Sequence, residues 1–212
     1  MKRQLLILLF YLGNTNLFAQ DLTIKQLITK AENAIFTVFA ADEQGNTFSQ
    51  GSGFFISAQG VGITNYHVLD GAHSGYIKDK NGNKYKIKSI LDYNPNTDLV
   101  KFQVENTNLK SFNYLHISYR TQVKGEQIIN ISSPLGLEQT VSTGIISSIR
   151  TDEMHGSILQ ITAPISHGSS GSPVMDMKGN VVGIATFCRE GGQSLNFAVN
   201  ATQISKLSHK RN

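Results

Sequence analysis

From Ile35 to Val199 the sequence is an almost unbroken succession of short apolar or alternating runs, and this constrains the fold more than any other feature. The candidate strands are Ile35–Phe39, Gly53–Ile56, Val61–Asn65, Lys84–Ile90, Leu99–Val104, Gln127–Ile131, Thr140–Ile149, Ile158–Ile161, Ser172–Met175, Val181–Thr186 and Asn196–Val199. Asn81-Gly82 and Gly179-Asn180 stand between such runs as tight-turn signals. Many short strands at close spacing, with no long helical pattern among them, predict an all-β barrel or sandwich. Helices are expected only at the ends. Ile24, Leu27, Ile28 and Ala31 fall at helical spacing within Asp21–Ala31. A second helix, Ala201–Leu207, is expected behind Asn200 as its cap, with Gln203 three residues on. The polar stretch Glu105–Asn113 reads as a link between two halves, and no internal repeat is visible.

The first 19 residues read as a targeting segment. Lys2 and Arg3 form a charged start, Leu5 to Leu12 a short apolar core, and Ala19 a cleavage point. The apolar run is too short to span a bilayer. Taking those residues from the 212 of the whole leaves one domain, 20–212, or two halves sharing a core. A chain of that length buries about 70% of its unfolded surface. The expected location is secreted or periplasmic, with no membrane span after cleavage. The formal charge of +4 includes Lys2 and Arg3, and the remainder is too small to argue for nucleic acid. Lys84, Lys86 and Lys88 alternate with Tyr85 and Ile87, which is the pattern of a strand with one wet face. Cys188 is the only cysteine, so no intramolecular disulfide can form; it is expected to be a small buried apolar filler.

Chemistry is concentrated in three places. Gly168-Ser169-Ser170-Gly171-Ser172-Pro173 frames a hydroxyl with glycines, which lets the backbone turn sharply enough for two N–H groups to converge beside it. About a hundred residues upstream, Thr64-Asn65-Tyr66-His67-Val68 sets a histidine in an apolar run. A serine hydroxyl needs such a base at neutral pH. Asn94-Pro95-Asn96-Thr97-Asp98 then places a carboxylate at the mouth of the alternating run Leu99–Val104. The chain order His67, Asp98, Ser170 is that of chymotrypsin-type enzymes, not of subtilisins or α/β-hydrolases. Ser169 and Ser172 are rival hydroxyls and Asp92 a rival carboxylate; the phase of the glycines favours Ser170, and the position directly before a strand favours Asp98. His73 is expected on a loop; His167 either lines the rim of a substrate pocket or is exposed and idle. No His, Cys and Asp cluster has metal-ligand spacing, so neither a metal nor a cofactor is implied.

These residues resemble the HtrA-type branch of the chymotrypsin-fold serine proteases from about Ile24 to Leu207. Gly51-Ser52-Gly53-Phe54 and Gly62-Ile63-Thr64-Asn65-Tyr66-His67-Val68 are similar to that family's G-S-G-F and V-T-N-x-H-V. Asn94-Pro95-Asn96-Thr97-Asp98-Leu99-Val100 is similar to D-P-x-T-D-L-A. Ser133–Leu137 and Gln139–Ser147 follow N-P-F-G-L and Q-T-V-T-x-G-I-V-S, and Gly168–Ser172 stands at G-N-S-G-G. The resemblance implies two six-stranded antiparallel β-barrels, the first over about 33–110 and the second over about 115–200, with the site in the cleft between them. It assigns His67 as general base, Asp98 as its partner, Ser170 as nucleophile, and the N–H groups of Gly168 and Ser170 as the oxyanion hole. It places a substrate pocket at Pro164, His167, Ala185, Thr186, Phe187, Asn196 and Phe197. No carboxylate falls there to pair with a basic side chain, so small or aliphatic residues are the expected preference.

The chain departs from the family in three respects. The sequence carries no PDZ domain after the resemblance ends. Ser172-Pro173-Val174 is closer to the glutamyl endopeptidases, although Gly183-Ile184-Ala185 lacks the histidine that those enzymes use for glutamate. Ser169 stands where trypsin-like zymogens have an aspartate that pairs with a new N-terminal amine, so activation by N-terminal cleavage is not expected. The expected function is endopeptidase action on exposed or unfolded polypeptide segments, which are then its partners. The alternatives are a catalytically silent binding or chaperone module on the same frame, and an esterase.

Overall fold

The computed structural model describes residues 22–106, 111–133, 139–152, 156–188 and 195–207. The expected targeting segment, 1–19, and the stretch 134–137 lie outside the described residues.

Twelve strands are formed among the described residues: β1 (Ile35–Ala41), β2 (Thr47–Phe55), β3 (Val61–Thr64), β4 (Ser74–Asp79), β5 (Lys84–Asn94), β6 (Leu99–Val104), β7 (Gln127–Ser132), β8 (Thr140–Asp152), β9 (Gly156–Ile161), β10 (Pro173–Asp176), β11 (Val181–Cys188) and β12 (Asn196–Asn200). All pairings between named strands are antiparallel. They close two barrels, β1-β2-β3-β6-β5-β4 and β7-β8-β9-β12-β11-β10, so each half repeats the same strand order. Closure leaves no free sheet edge in either barrel.

Strand β4 is the element the sequence pattern does not signal. Of Ser74–Asp79 only Ile77 is fully buried, and the rest is half-exposed or exposed. The strand is held by its pairing to β1 and β5 instead of by an apolar face. Likewise β2 begins at Thr47, six residues before the expected Gly53, because its first four residues lie at the surface and only pair with β1. The lysines of β5 are exposed, while Tyr85 and Ile87 pack on the core beneath.

The first barrel is filled by rings. Phe36 packs on Phe55 at 4.6 Å between centroids, and Phe55 on Phe112 at 4.5 Å. These rings need glycine opposite them: a Cβ at Gly62 would stand 2.7 Å from Phe102 Cζ. The second barrel is filled by aliphatic side chains, among them Ile128, Ile146, Leu159, Ile161, Val174 and Val182. A third cluster lies between the barrels and joins Ile35, Phe54, Ile63 and Leu99 to Ile129, Ile131, Met175, Val181 and Val199.

Helix α1 (Ile24–Ala31) turns Leu27 and Ala31 onto that third cluster. It starts at Thr23, whose hydroxyl accepts from Gln26 N while Gln26 Oε1 accepts from Thr23 N, a reciprocal cap. The expected C-terminal helix is present as a 3₁₀ helix, Ala201–Lys206, in which Asn200 Oδ1 accepts from Thr202 N at 3.0 Å. The inter-barrel segment is stitched to both halves. Phe112 N donates to Ala58 O and Leu115 N to Phe55 O, while Ser118 N and Val181 O meet at 2.8 Å.

Candidate active site

His67 lies on a single helical turn, α2 (Tyr66–Leu69), which follows β3 directly. Asp98 closes the turn between β5 and β6. Asn94 Oδ1 accepts from Asn96 N and Thr97 N, and Asp98 N returns to Pro95 O at 3.2 Å. This tight loop leaves Asp98 at φ +53, in the left-handed region that non-glycine residues seldom occupy. The carboxylate is then fully committed to the histidine. Asp98 Oδ1 accepts from His67 N at 2.9 Å, and Asp98 Oδ2 lies 2.8 Å from His67 Nδ1. A carboxylate only accepts, so Nδ1 carries the proton and the neutral imidazole presents Nε2 as a base. The imidazole is half-exposed, whereas the Asp98 side chain is 10% exposed. Asp92, the rival carboxylate, is buried on β5 opposite Lys101.

Ser170 sits on the loop between β9 and β10. Ser169 N donates to Ser166 O, Ser172 N to Ser169 O, and Gly171 N to Ala185 O at 2.8 Å. The Ser169 hydroxyl is buried and donates to Ser132 Oγ while accepting from Ser166 N, so neutral bonds fill its place. The loop is registered against the first barrel by Ser52 of β2. Ser52 N donates to Ser170 O at 2.8 Å, Ser52 Oγ donates to Gly168 O at 2.7 Å, and Ser133 N donates back to Ser52 Oγ at 2.9 Å. Gly51 shows how near Ser170 and α2 come: a Cβ there would meet Val68 Cγ2 at 2.7 Å and Ser170 O at 3.0 Å.

The Ser170 hydroxyl donates to Thr186 O at 3.1 Å. The structure thus joins His67 to Asp98 directly, and the Ser170 hydroxyl rests on the Thr186 carbonyl of β11. The backbone N–H groups of Gly168 and Ser170 have no acceptor among the described residues.

A pocket of about 210 Å³ opens beside Ser170, lined among the described residues by Ile165, Ser166, His167, Thr186, Phe187 and Cys188.

Residues 51–184 match the family described as the trypsin-like peptidase domain. The chain belongs to the trypsin-like peptidase family. It is 35% identical over 165 residues to a Synechocystis sp. protein named as the serine protease HhoB, covering 74% of this chain and 38% of that one. It is 33% identical over 141 residues to a Chlamydia muridarum protein named as a probable periplasmic serine endoprotease, DegP-like, covering 65% and 28%. The crystal structure of the serine endoprotease from Yersinia pestis has the same fold, with a TM-score of 0.75 and 28% identity over 87% of this chain and 64% of that one. The chain spans about a third of the length of the curated relatives it matches.

Within this peptidase domain the pocket differs in part from the expected one. His167, Thr186 and Phe187 line it. Ala185 is fully buried behind the wall, Pro164 is exposed and its carbonyl accepts from Ser142 Oγ, and Phe197 stacks under Phe187 at 4.9 Å between centroids. Asn196, at the start of β12, pairs with Cys188 and Ile161 and is not among the lining residues. Cys188 is exposed and lines the pocket, which corrects its reading as buried filler. It ends β11, whose first six residues are buried and whose last two emerge from the core. Sequence reasoning missed the roles of Ser52 and Asn65. Both lie inside the quoted motifs, one between two glycines and the other at a helix start, where a short polar residue in isolation signals only a turn or a cap.

Proposed function

We propose that this trypsin-like peptidase domain is an exported serine endopeptidase that cleaves exposed or unfolded polypeptide segments through an acyl-enzyme. The observation that carries the reading is the Asp98 carboxylate held 2.8 Å from His67 Nδ1, with Ser170 on a glycine-framed loop that Ser52 registers against the first barrel. Ser170 rotates from Thr186 O towards His67 Nε2, which takes its proton as the oxygen attacks the scissile carbonyl. Asp98 keeps the imidazole in the productive tautomer and stabilises its charged form. Gly168 N and Ser170 N receive the oxyanion; one such donor is worth about 3–4 kcal/mol of transition-state binding. His67 then passes its proton to the leaving amine, and later activates the water that releases the acyl group. The pocket beside Ser170, apolar at Ile165 and Phe187 and without a carboxylate among its described lining residues, suits small or aliphatic side chains. Export fits the charged-then-apolar start of the sequence and the periplasmic relatives. A binding module is the second reading, favoured by the resting bond of Ser170 to Thr186 O.

Labelling with a fluorophosphonate and digestion of casein separate the two. The wild type labels and digests, and Ser170→Ala loses both, with turnover down about 10⁶-fold. Undiminished digestion by Ser170→Ala defeats the proposal, as does a folded wild type that never labels.

A further inference from the structure

We infer that Asn65 is a positioning residue of this site, holding Asp98 against His67 and tying that pair to the strand that carries the Ser170 hydroxyl; the inference rests on the triad reading above. Asn65 precedes α2, at the position where asparagine ordinarily accepts a hydrogen bond from the first turn of the helix. Its side chain makes no such bond. Instead Asn65 Nδ2 donates to Asp98 O at 2.8 Å and to Thr186 Oγ1 at 3.0 Å. The orientation of the amide is fixed by its partners, because a carbonyl oxygen can only accept. Thr186 Oγ1 in turn donates to Ile184 O at 3.1 Å, which leaves it free to accept from Asn65.

The arrangement carries a cost. Asn65 is fully buried, and its Oδ1 has no partner. A residue selected for stability alone would cap the helix and leave no orphan oxygen inside. What this amide secures is control of Asp98, the only non-glycine among the described residues with positive φ. A strained backbone of this kind persists only where its surroundings over-determine it. Two donors converge on the Asp98 carbonyl, Tyr66 N at 3.1 Å and Asn65 Nδ2 at 2.8 Å. With Asn65 truncated one donor remains, and relaxation of φ swings the carboxylate away from both nitrogens of His67. The second bond of the same amide ends on Thr186, whose carbonyl accepts from Ser170 Oγ. One side chain therefore sets the acid–base pair of the first barrel in register with the nucleophile of the second.

The test uses Asn65→Ala and Thr186→Val, the second keeping the Thr186 carbonyl but losing the oxygen that accepts from Asn65. For Asn65→Ala, kcat on a quenched peptide is expected to fall about 10²-fold with KM within about twofold, the mark of misplaced catalytic groups instead of lost binding. The His67 Nδ1–H proton, bonded to Asp98, is expected to resonate downfield in the wild type and to broaden or vanish in this variant. Thr186→Val is expected to lower kcat about tenfold, and the double variant to fall no further than Asn65→Ala, since both break one bond chain. A folded Asn65→Ala that keeps the downfield resonance and wild-type kcat overturns the inference, as does a change confined to KM. If Asn65→Ala does not fold, an unchanged kcat in Thr186→Val overturns it equally. A wild type that never labels with fluorophosphonate defeats the triad reading instead, and the resonance then decides the clamp without any activity.

Discussion

Gly171, the residue after the proposed nucleophile, allows the geometry of the loop to be tested against an internal control. Its φ is +87, and alanine in that region costs about 1–2 kcal/mol. Beyond the backbone strain, an added Cβ would overlap Ser52 O and the Thr64 hydroxyl and lie 3.1 Å from Asn65 N. None of these atoms is a loose end. Thr64 Oγ1 donates to Ser52 O at 2.7 Å, and Ser52 N donates to Ser170 O at 2.8 Å. Forcing a methyl group into so close a contact costs about 1–3 kcal/mol more. The sum, about 2–5 kcal/mol, is a large share of the roughly 5–15 kcal/mol that holds a domain folded. In a chain of this length each kcal/mol moves Tm by about 2–4 °C, so Gly171→Ala should lower it by about 4–20 °C. Gly82 supplies the control. Its φ is +82, but a Cβ there meets nothing within 4 Å. Gly82→Ala therefore bears the backbone cost alone, about 2–8 °C. Thermal melts of both variants, with fluorophosphonate labelling rates, decide the matter. If Gly171→Ala melts together with Gly82→Ala and labels at the wild-type rate, the loop is not seated on β2 and β3 as described.

Two further expectations concern the rim of the site. The Tyr66 hydroxyl donates to Asp70, and this bond, together with burial, raises it above the ordinary phenol value of about 10. Between the unfolded and folded values the folded protein keeps a proton that the unfolded chain has lost. The resulting stability is full below about pH 10 and is lost as pH rises through the folded value. Ultraviolet titration of phenolate should show that Tyr66→Phe lacks a late-ionising tyrosine; an unchanged alkaline limb contradicts the assignment. Cys188, exposed in the pocket, should be carbamidomethylated by iodoacetamide in the folded protein, with turnover of a bulky peptide falling and Cys188→Ser resistant. A thiol that reacts only after denaturation, seen by intact mass, removes Cys188 from the pocket wall.

The strands that bury one face were legible because burial imposes a period of two on the residue pattern. Leu99-Val100-Lys101-Phe102-Gln103-Val104 carries that pattern plainly, and it is β6. Strand β4 carries almost none of it, since its place depends on backbone pairing to two neighbours. The twofold repetition of strand order was also invisible, for a physical reason. The same topology is filled by Phe36, Phe55, Phe102 and Phe112 in one barrel and by isoleucine, leucine and valine in the other. A core needs volume and an apolar face, not particular residues, so two halves can share a fold with no detectable repeat.

The site divides along a similar line. Its candidate side chains could be named because the proposed chemistry demands glycine or a turn beside them, as at Gly168–Gly171 and Asn94–Asp98. What aligns them is a set of buried polar bonds between residues far apart in the chain, and such bonds leave no period to detect. Ser52 donates to Gly168 O, 116 positions away, and Asn65 donates to Thr186, 121 positions away. Each is a short polar residue next to a glycine or a helix start, which in isolation suggests a turn or a cap. In the fold both lie on the face of the first barrel turned towards the second, and each bonds to the loop or strand that presents Ser170. A site drawn from two barrels must be brought into register within a fraction of an ångström, and apolar contact between the barrels is too forgiving to do so. Hydrogen bonds are directional, so a few of them can set that register where packing alone would not. Substitutions at Ser52 and Asn65 should therefore affect the rate more than substitutions of equal size in the aliphatic cluster between the barrels, which should chiefly lower Tm.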